Sequence, residues 1–300
     1  MILSLLVAAI PVFSAAPDSL LQQIEERAAR EPGALVGLAY IDLGSGDTLF
    51  INADTSFHAA STMKVPVMIE LFRGAGKGSF RMDQELLLVN QFASIVDGSA
   101  YSLDRNADSD STLYNRIGDR VRIDTLLRLM ITRSSNFATN TLITLVGAED
   151  VTRTMRSLGA MRIRVLRGVE DGKAFEKGLN NTTTARDLAI ILRALEKGEA
   201  ASRTATREML GILLAQEFNE RIPAGLPAGV KVAHKTGDIT AIAHDAAIVY
   251  PPGTSPYVLV VLTRGIQDAR KSDKLIADLS ALVYAHHAGL SSMPAPTTNP

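Results

Sequence analysis

Ser61-Thr62-Met63-Lys64-Val65-Pro66-Val67-Met68-Ile69-Glu70-Leu71-Phe72 places a serine three residues before a lysine, at the head of an apolar run. Residues three apart share a helix face, so with a helix starting near Ser61 the lysine amine reaches the serine oxygen. A serine hydroxyl is a weak nucleophile near neutral pH, and an amine whose pKa is depressed by burial or positive neighbours can take its proton. The positive end of the helix would lie where an oxyanion forms. Pro66 falls about where a first turn ends, so little of the helical ladder is lost. Taken alone, the spacing also describes an ordinary exposed helix start, and other motifs have to decide.

Two do. Ser134-Ser135-Asn136 stands between two helical patterns, and Lys235-Thr236-Gly237 ends a run that reads as a strand. Ser-X-X-Lys, Ser-Asp-Asn and Lys-Thr-Gly, in this order, form the signature of class A β-lactamases and penicillin-binding proteins. On these motifs residues 34–287 resemble the serine β-lactamase and D,D-peptidase superfamily, and specifically its class A branch. One position departs from the pattern: Ser135 stands where it has aspartate, while Ser134 and Asn136 keep the first and third places.

The rest of the chain gives the architecture. Residues 1–16 are apolar, too short to span a membrane, and end in small residues that suit signal peptidase; they read as a signal peptide cleaved after Ala16, although no Lys or Arg precedes the apolar stretch. The protein is therefore expected to be exported, periplasmic or secreted. Leu21, Ile24 and Ala28 mark a first helix, stopped by Glu31-Pro32-Gly33. Residues 35–41 and 48–51 flank a turn rich in Gly, Asp and Ser and predict an antiparallel hairpin. From 62 to about 211 the patterns are almost all helical, with stripes at Ile123, Leu126, Leu127, Met130 and Ile131 and at Ala138, Thr141, Leu142 and Leu145. Thr184, with Asp187 three residues on, caps a further helix closed by Gly198. Strands return at 230–236, 241–250 and 257–263 as an antiparallel meander, followed by a long closing helix through Leu275, Ile276, Leu279, Leu282 and Val283. The fold class is thus α/β of the α+β type: an antiparallel sheet of about five strands, flanked by N- and C-terminal helices, with an inserted all-helical lobe. The sheet lobe takes 17–60 and 212–290, the helical lobe 61–211, and 291–300 forms a polar, disordered tail. The three motifs would meet in the cleft between the lobes.

Composition narrows the partners. A net charge of −1 gives no electrostatic reason to expect nucleic acid, and the chain has no cysteine, hence no disulfide framework. Asp104, Asn106 and Asp108 alternate like the start of a calcium loop, but Ser109 and Asn115 stand where that loop needs Gly and Glu. His286-His287 lacks a carboxylate or cysteine at ligand spacing and reads as solvent-facing. No Gly-X-Ser-X-Gly elbow is present. His234 can contact a ligand or be a satisfied strand histidine, the second being commoner.

The resemblance then implies roles. Ser61 attacks a carbonyl carbon with help from Lys64; backbone N–H groups of Ser61 and Asp238 hold the oxyanion; Ser134 relays a proton to the leaving nitrogen. Asn136 positions the acyl side chain, and Lys235 and Thr236 bind the substrate carboxylate. For deacylation the class A pattern Glu-X-X-Leu-Asn is matched by Glu176, Leu179 and Asn180, with Glu170 as the rival and an ordinary solvated carboxylate as the plain alternative. The expected partner is a small-molecule β-lactam or a peptidoglycan peptide, with no metal, no organic cofactor and a monomeric state. Three functions fit: a β-lactamase, a D,D-carboxypeptidase, and a sensor that stays acylated.

Overall fold

The strand Tyr257–Arg264 runs Tyr-Val-Leu-Val-Val-Leu before its first polar residue, so both of its faces must be covered. They are. In the computed structural model, which describes residues 19–289, it is β11, at the centre of a five-stranded sheet ordered β2-β1-β11-β10-β9. The partners are β1 (Leu35–Asp42), β2 (Thr48–Ile51), β9 (Lys231–Ile239) and β10 (Ile242–Tyr250), all antiparallel. Strand alternation sends Tyr257, Leu259 and Val261 to one face, with Val258, Val260 and Leu262 on the other.

The first face packs on α1 (Leu20–Ala29) and α9 (Ala269–His287) through Ile24, Leu275, Ile276, Leu279 and Val283. Near that contact the chain turns through Pro223–Gly225. A Cβ on Gly225 would stand 2.0 Å from Ala277 O, inside the α9 backbone. Gly225→Ala should therefore destabilise the protein by at least the ~1–3 kcal/mol typical of overpacking. A thermal melt checks it; an unchanged Tm would show that the turn can retreat from α9.

The second face carries the helices that sequence places between β2 and β9. The central one is α2 (Lys64–Gly76), buried without a break from Lys64 to Phe72 and packed against α3 (Ile123–Thr132), α4 (Asn136–Val146), α5 (Ala148–Ser157) and α8 (Arg203–Leu213). A helix this apolar belongs inside, the apolar character of its buried run being interrupted only by Lys64 and Glu70. α7 (Ala185–Glu196) lies on the sheet, and Thr184 caps it by accepting Asp187 N–H at 3.0 Å.

Three short ribbons were not expected from the sequence, five of their six strands lying in the stretch read as almost all helical and the sixth, Phe57–His58, just before it. They pair β3 (Phe57–His58) with β8 (Thr182–Thr183), β4 (Glu85–Leu87) with β7 (Arg120–Arg122), and β5 (Phe92–Ala93) with β6 (Ala100–Tyr101). Strands of two or three residues are too short to show a period. His287 is a second correction. Its side chain is only 2% exposed, since its ring sits against Tyr257 and its nitrogens meet Tyr40 Oη and Ser255 O, both at 2.8 Å; His286 is exposed as expected. The expected signal peptide and tail lie outside the described residues. Among the described residues no helix is long and apolar enough to cross a membrane.

Candidate active site

The serine of the first motif sits in a 3-10 turn, Ala60–Met63, directly before α2. Ala60 enters it with φ 46°, a left-handed conformation that a side chain resists unless its surroundings hold it. Here Ala59 N–H donates to Asn181 O (2.8 Å), Ala60 N–H to His58 Nδ1 (3.0 Å) and Thr62 Oγ1 to Ala59 O (2.6 Å). Behind them the buried ring of His244, whose pKa burial lowers to about 4, meets His58 O at 2.9 Å. β9 passes in front. A Cβ on Gly237 would lie 3.0 Å from Ser61 N and 3.1 Å from Thr62 N, so the third motif needs glycine there to run against the serine's backbone.

Both motif lysines are fully buried and converge on one hydroxyl. Lys64 Nζ donates to Ser134 O (2.5 Å), Ser134 Oγ (3.2 Å) and Asn136 Oδ1 (2.9 Å). Lys235 Nζ donates to Ser134 Oγ (3.0 Å) and Thr236 O (2.9 Å). Ser134 is held at φ 58°, which turns its side chain and carbonyl to the amines, while Ser135 caps α4 by accepting Ala138 N–H at 3.3 Å. The triplet thus serves both the helix and the site, Ser135 capping α4 while Ser134 and Asn136 meet the lysines. Among the described residues no hydrogen bond reaches Ser61 Oγ; in resting sites such contacts are commonly long and tighten when substrate binds.

The electrostatics follow from burial. Loss of hydration, and then the charge of Lys235, push Lys64 well below the usual lysine range, with Asp108 and Glu170 opposing in part. Burial lowers Lys235 to about 7 against the opposing pull of Asp238 and Asp245. Lys235 can therefore exchange a proton near neutral pH, and Lys64 gives up its proton far more readily than an ordinary lysine.

The fourth side of the cleft is a loop whose base is closed by the Arg164–Thr182 bridge, 2.9 Å in both directions. It delivers Glu170. Asn140, one helical turn beyond Asn136 on α4, clamps Val169 at both ends: its Oδ1 accepts Val169 N–H (2.6 Å) and its Nδ2 donates to Val169 O (3.0 Å). Asp171, buried, accepts from Ser94 Oγ (2.9 Å), Ile95 N–H (3.0 Å) and Ala174 N–H (3.1 Å), pinning the loop to the β5–β6 ribbon. Between these anchors Glu170 adopts φ 61°, and its Oε1 accepts Asn136 Nδ2 at 2.6 Å. Partial desolvation of its carboxyl against the neighbouring chain raises its pKa, although the residue as a whole is exposed, and hydrogen bonds from Asn136 and the Asp104 backbone oppose the shift by favouring the charged form.

The structure therefore joins Lys64, Ser134, Asn136 and Lys235 in one hydrogen-bonded cluster. Ser61 stands one helical turn before Lys64 with its backbone against Gly237, Thr236 contributes its carbonyl to Lys235, and Glu170 rather than Glu176 is tied to Asn136. Glu176 ends the short helix α6 (Gly172–Glu176) with its side chain exposed. Asn180 is turned to the loop's own base, where its Oδ1 accepts Arg167 Nη2 at 3.1 Å. Of the two glutamates it is Glu170, the rival, whose side chain reaches Asn136, while Glu176 ends α6. Asp238 follows Gly237 along the edge strand, and its carboxylate is taken up by Arg221. His234 is a satisfied strand histidine, 3.0 Å from Asp245 and 3.3 Å from Asn219. Sequence reading missed Asn140, Asp171 and His244. Only Asn140 had a signal, its four-residue spacing from Asn136.

A serine at a helix start, two buried lysines sharing a second serine, and a loop carboxylate across the cleft define an acyl-transferring serine hydrolase site. A sequence profile of the β-lactamase enzyme family matches residues 19–287, and the chain belongs to that family. It is 32% identical over 256 residues to β-lactamase AST-1 of Nocardia asteroides, covering 84% of this chain and 78% of that one. Among solved structures it is similar to the ancestral Gram-negative class A β-lactamase (27% identity, TM-score 0.77, 89% and 100% of the two chains). It is also similar to a point mutant of PBP-A solved as its acyl-enzyme with penicillin G (31%, TM-score 0.77, 90% and 96%).

Proposed function

We propose that this chain is a class A-type serine β-lactamase in which Ser61 carries the acyl group and Glu170 prepares the water that removes it. The observation that carries the reading is the Asn136 side chain, which joins Lys64 to Glu170 through contacts of 2.9 and 2.6 Å and so sets a base for each half of the reaction around one amide. Ser61 Oγ attacks the lactam carbonyl as its proton passes to Lys64. Backbone N–H groups of Ser61 and Asp238 receive the oxyanion, at about 3 kcal/mol for a single donor of this kind. The C–N bond breaks as Ser134 hands its proton to the ring nitrogen and takes the one held by Lys64, 3.2 Å away. Glu170 then takes a proton from water, the hydroxide attacks the ester, the acyl C–O bond breaks, and the proton returns to Ser61 Oγ as it is released. The scheme needs no metal or organic cofactor and works in a monomer. An exported location, implied by the leader expected at residues 1–16, belongs to the same proposal.

Mass spectrometry after mixing with benzylpenicillin tests it. An adduct that forms and vanishes while penicilloate accumulates is expected. The likeness to PBP-A supports a second reading, a D,D-peptidase that β-lactams inhibit, and a persistent adduct would favour that one.

Two further results are expected. Because Lys235 titrates at about 7 and must be charged to hold a carboxylate, kcat/KM for substrates bearing that group should fall as pH rises through that region. Lys235→Arg should remove the limb, since a guanidinium stays protonated; a limb that persists would assign it elsewhere. Gly237→Ala should slow acylation about tenfold or more by displacing β9 from the Ser61 backbone, with a near-wild-type Tm. Unchanged labelling by a fluorescent penicillin would show that the strand shifts freely.

A further inference from the structure

Two features of the sequence have no part in this chemistry: the Asp104, Asn106, Asp108 alternation, and the serine at position 135 where the family motif has aspartate. They meet at the start of α4. The first N–H groups of a helix have no partner within it and need acceptors. Ser135 Oγ takes one of them, Ala138 N–H. Asn136 N–H and Phe137 N–H donate instead to Asp108 Oδ1 and Oδ2, each at 2.9 Å, from 28 and 29 residues further along the chain. The same carboxylate, in a residue only 9% exposed, also accepts Tyr114 Oη–H and Asp110 N–H, both at 3.1 Å. One hydroxyl could not hold two adjacent N–H groups and bring negative charge to the positive end of the helix; a carboxylate does both.

We propose that Asp108 is a positioning residue of this site, supplying from another part of the chain the carboxylate that Ser135 does not, and so fixing Asn136 between Lys64 and Glu170. The inference rests on the acylation chemistry proposed above. Asp108 also acts at a distance on the groups around it. Its charge favours protonated Lys64 from α2 and protonated Glu170 from the loop, and it raises the Tyr114 hydroxyl from the turn Thr112–Arg116. Asp104 and Asp110 share its own loop, and Arg133 at the end of α3 lies 3.9 Å from Asp110. Its charge is not among the influences on Lys235.

Asp108→Asn keeps the shape, removes the charge and turns an amide N–H₂ toward a helix N–H. The acylation rate with a fluorescent penicillin should fall about 10–100-fold, the scale of a small misplacement of a site group. The acidic limb of its pH profile should move to lower pH, because Lys64 loses a negative neighbour, while the alkaline limb stays. A purely structural residue would scale the whole profile without moving one limb. Ser135→Asp in the Asp108→Asn background should restore most of the rate by returning a carboxylate to α4. Wild-type kinetics with an unshifted acidic limb in Asp108→Asn would overturn the proposal. If that variant does not fold, the double variant decides: folded and acylating supports the proposal, and unfolded or inert overturns it. A wild-type protein that is never labelled would overturn the acylation reading itself, and this proposal with it, so the two failures are told apart.

Discussion

Ser61→Ala is expected to abolish covalent labelling by fluorescent penicillin and to lower hydrolysis by about 10⁶-fold, the scale seen when a nucleophile is removed from a serine hydrolase. The structure offers two serines to the substrate, and they are not equivalent. Ser134 Oγ accepts hydrogen bonds from both lysines, so its lone pairs are engaged and its proton is the part left to give. Ser61 has its own N–H behind it, β9 in front and the positive end of α2 beneath. Removing Oγ leaves the turn intact, because Ala59, Ala60 and Thr62 make the contacts that hold it. Tm should therefore change by less than a few degrees. Stoichiometric labelling of a folded Ser61→Ala protein would remove Ser61 from the chemistry and make Ser134 the nucleophile.

How much of this could be read from the letters depends on what kind of signal each feature leaves. The sheet was legible because β11, β10 and β1 carry apolar runs bounded by turns, and because a strand covered on both faces can be little else. The convergence of Lys64 and Lys235 on Ser134 could be inferred only through the resemblance, since nothing local in three motifs 70 and 101 residues apart says that they touch. The ribbons were missed because their strands are too short for a pattern. His287 was missed because what buries it, Tyr40 and Tyr257, comes from strands over 200 positions away or across a turn. The loop misled for a different reason. Residues 170–181 hold two glutamates and a Leu-Asn pair, and spacing along the chain favours Glu176. Orientation is set through space instead, by Asn140 gripping Val169 and by Asp171 gripping the β5–β6 ribbon, and those contacts flank Glu170 where it meets Asn136.

Glu170→Gln is therefore expected to acylate at close to the wild-type rate and to remain acylated, with deacylation slowed about 10²–10⁴-fold, the usual contribution of a general base. Glutamine keeps the bond that places the residue, because its amide oxygen can still accept Asn136 Nδ2, but it cannot take a proton from water. The pH dependence gives an independent reading. Partial desolvation raises the Glu170 pKa, so wild-type deacylation should fall as pH drops through a value above the ordinary glutamate pKa, where the base becomes protonated. That limb should be absent from the residual deacylation of Glu170→Gln. Glu176→Gln should turn over like wild type, because the exposed side chain of Glu176 is carried away from the cleft by α6. Intact mass spectrometry after a benzylpenicillin pulse separates the cases. A trapped adduct in Glu176→Gln but not in Glu170→Gln would mean that the loop rearranges when acylated. Rapid deacylation in both would mean that the hydrolytic water is prepared by another group, with Lys64, released from the acylation step and 2.9 Å from Asn136, next in reach.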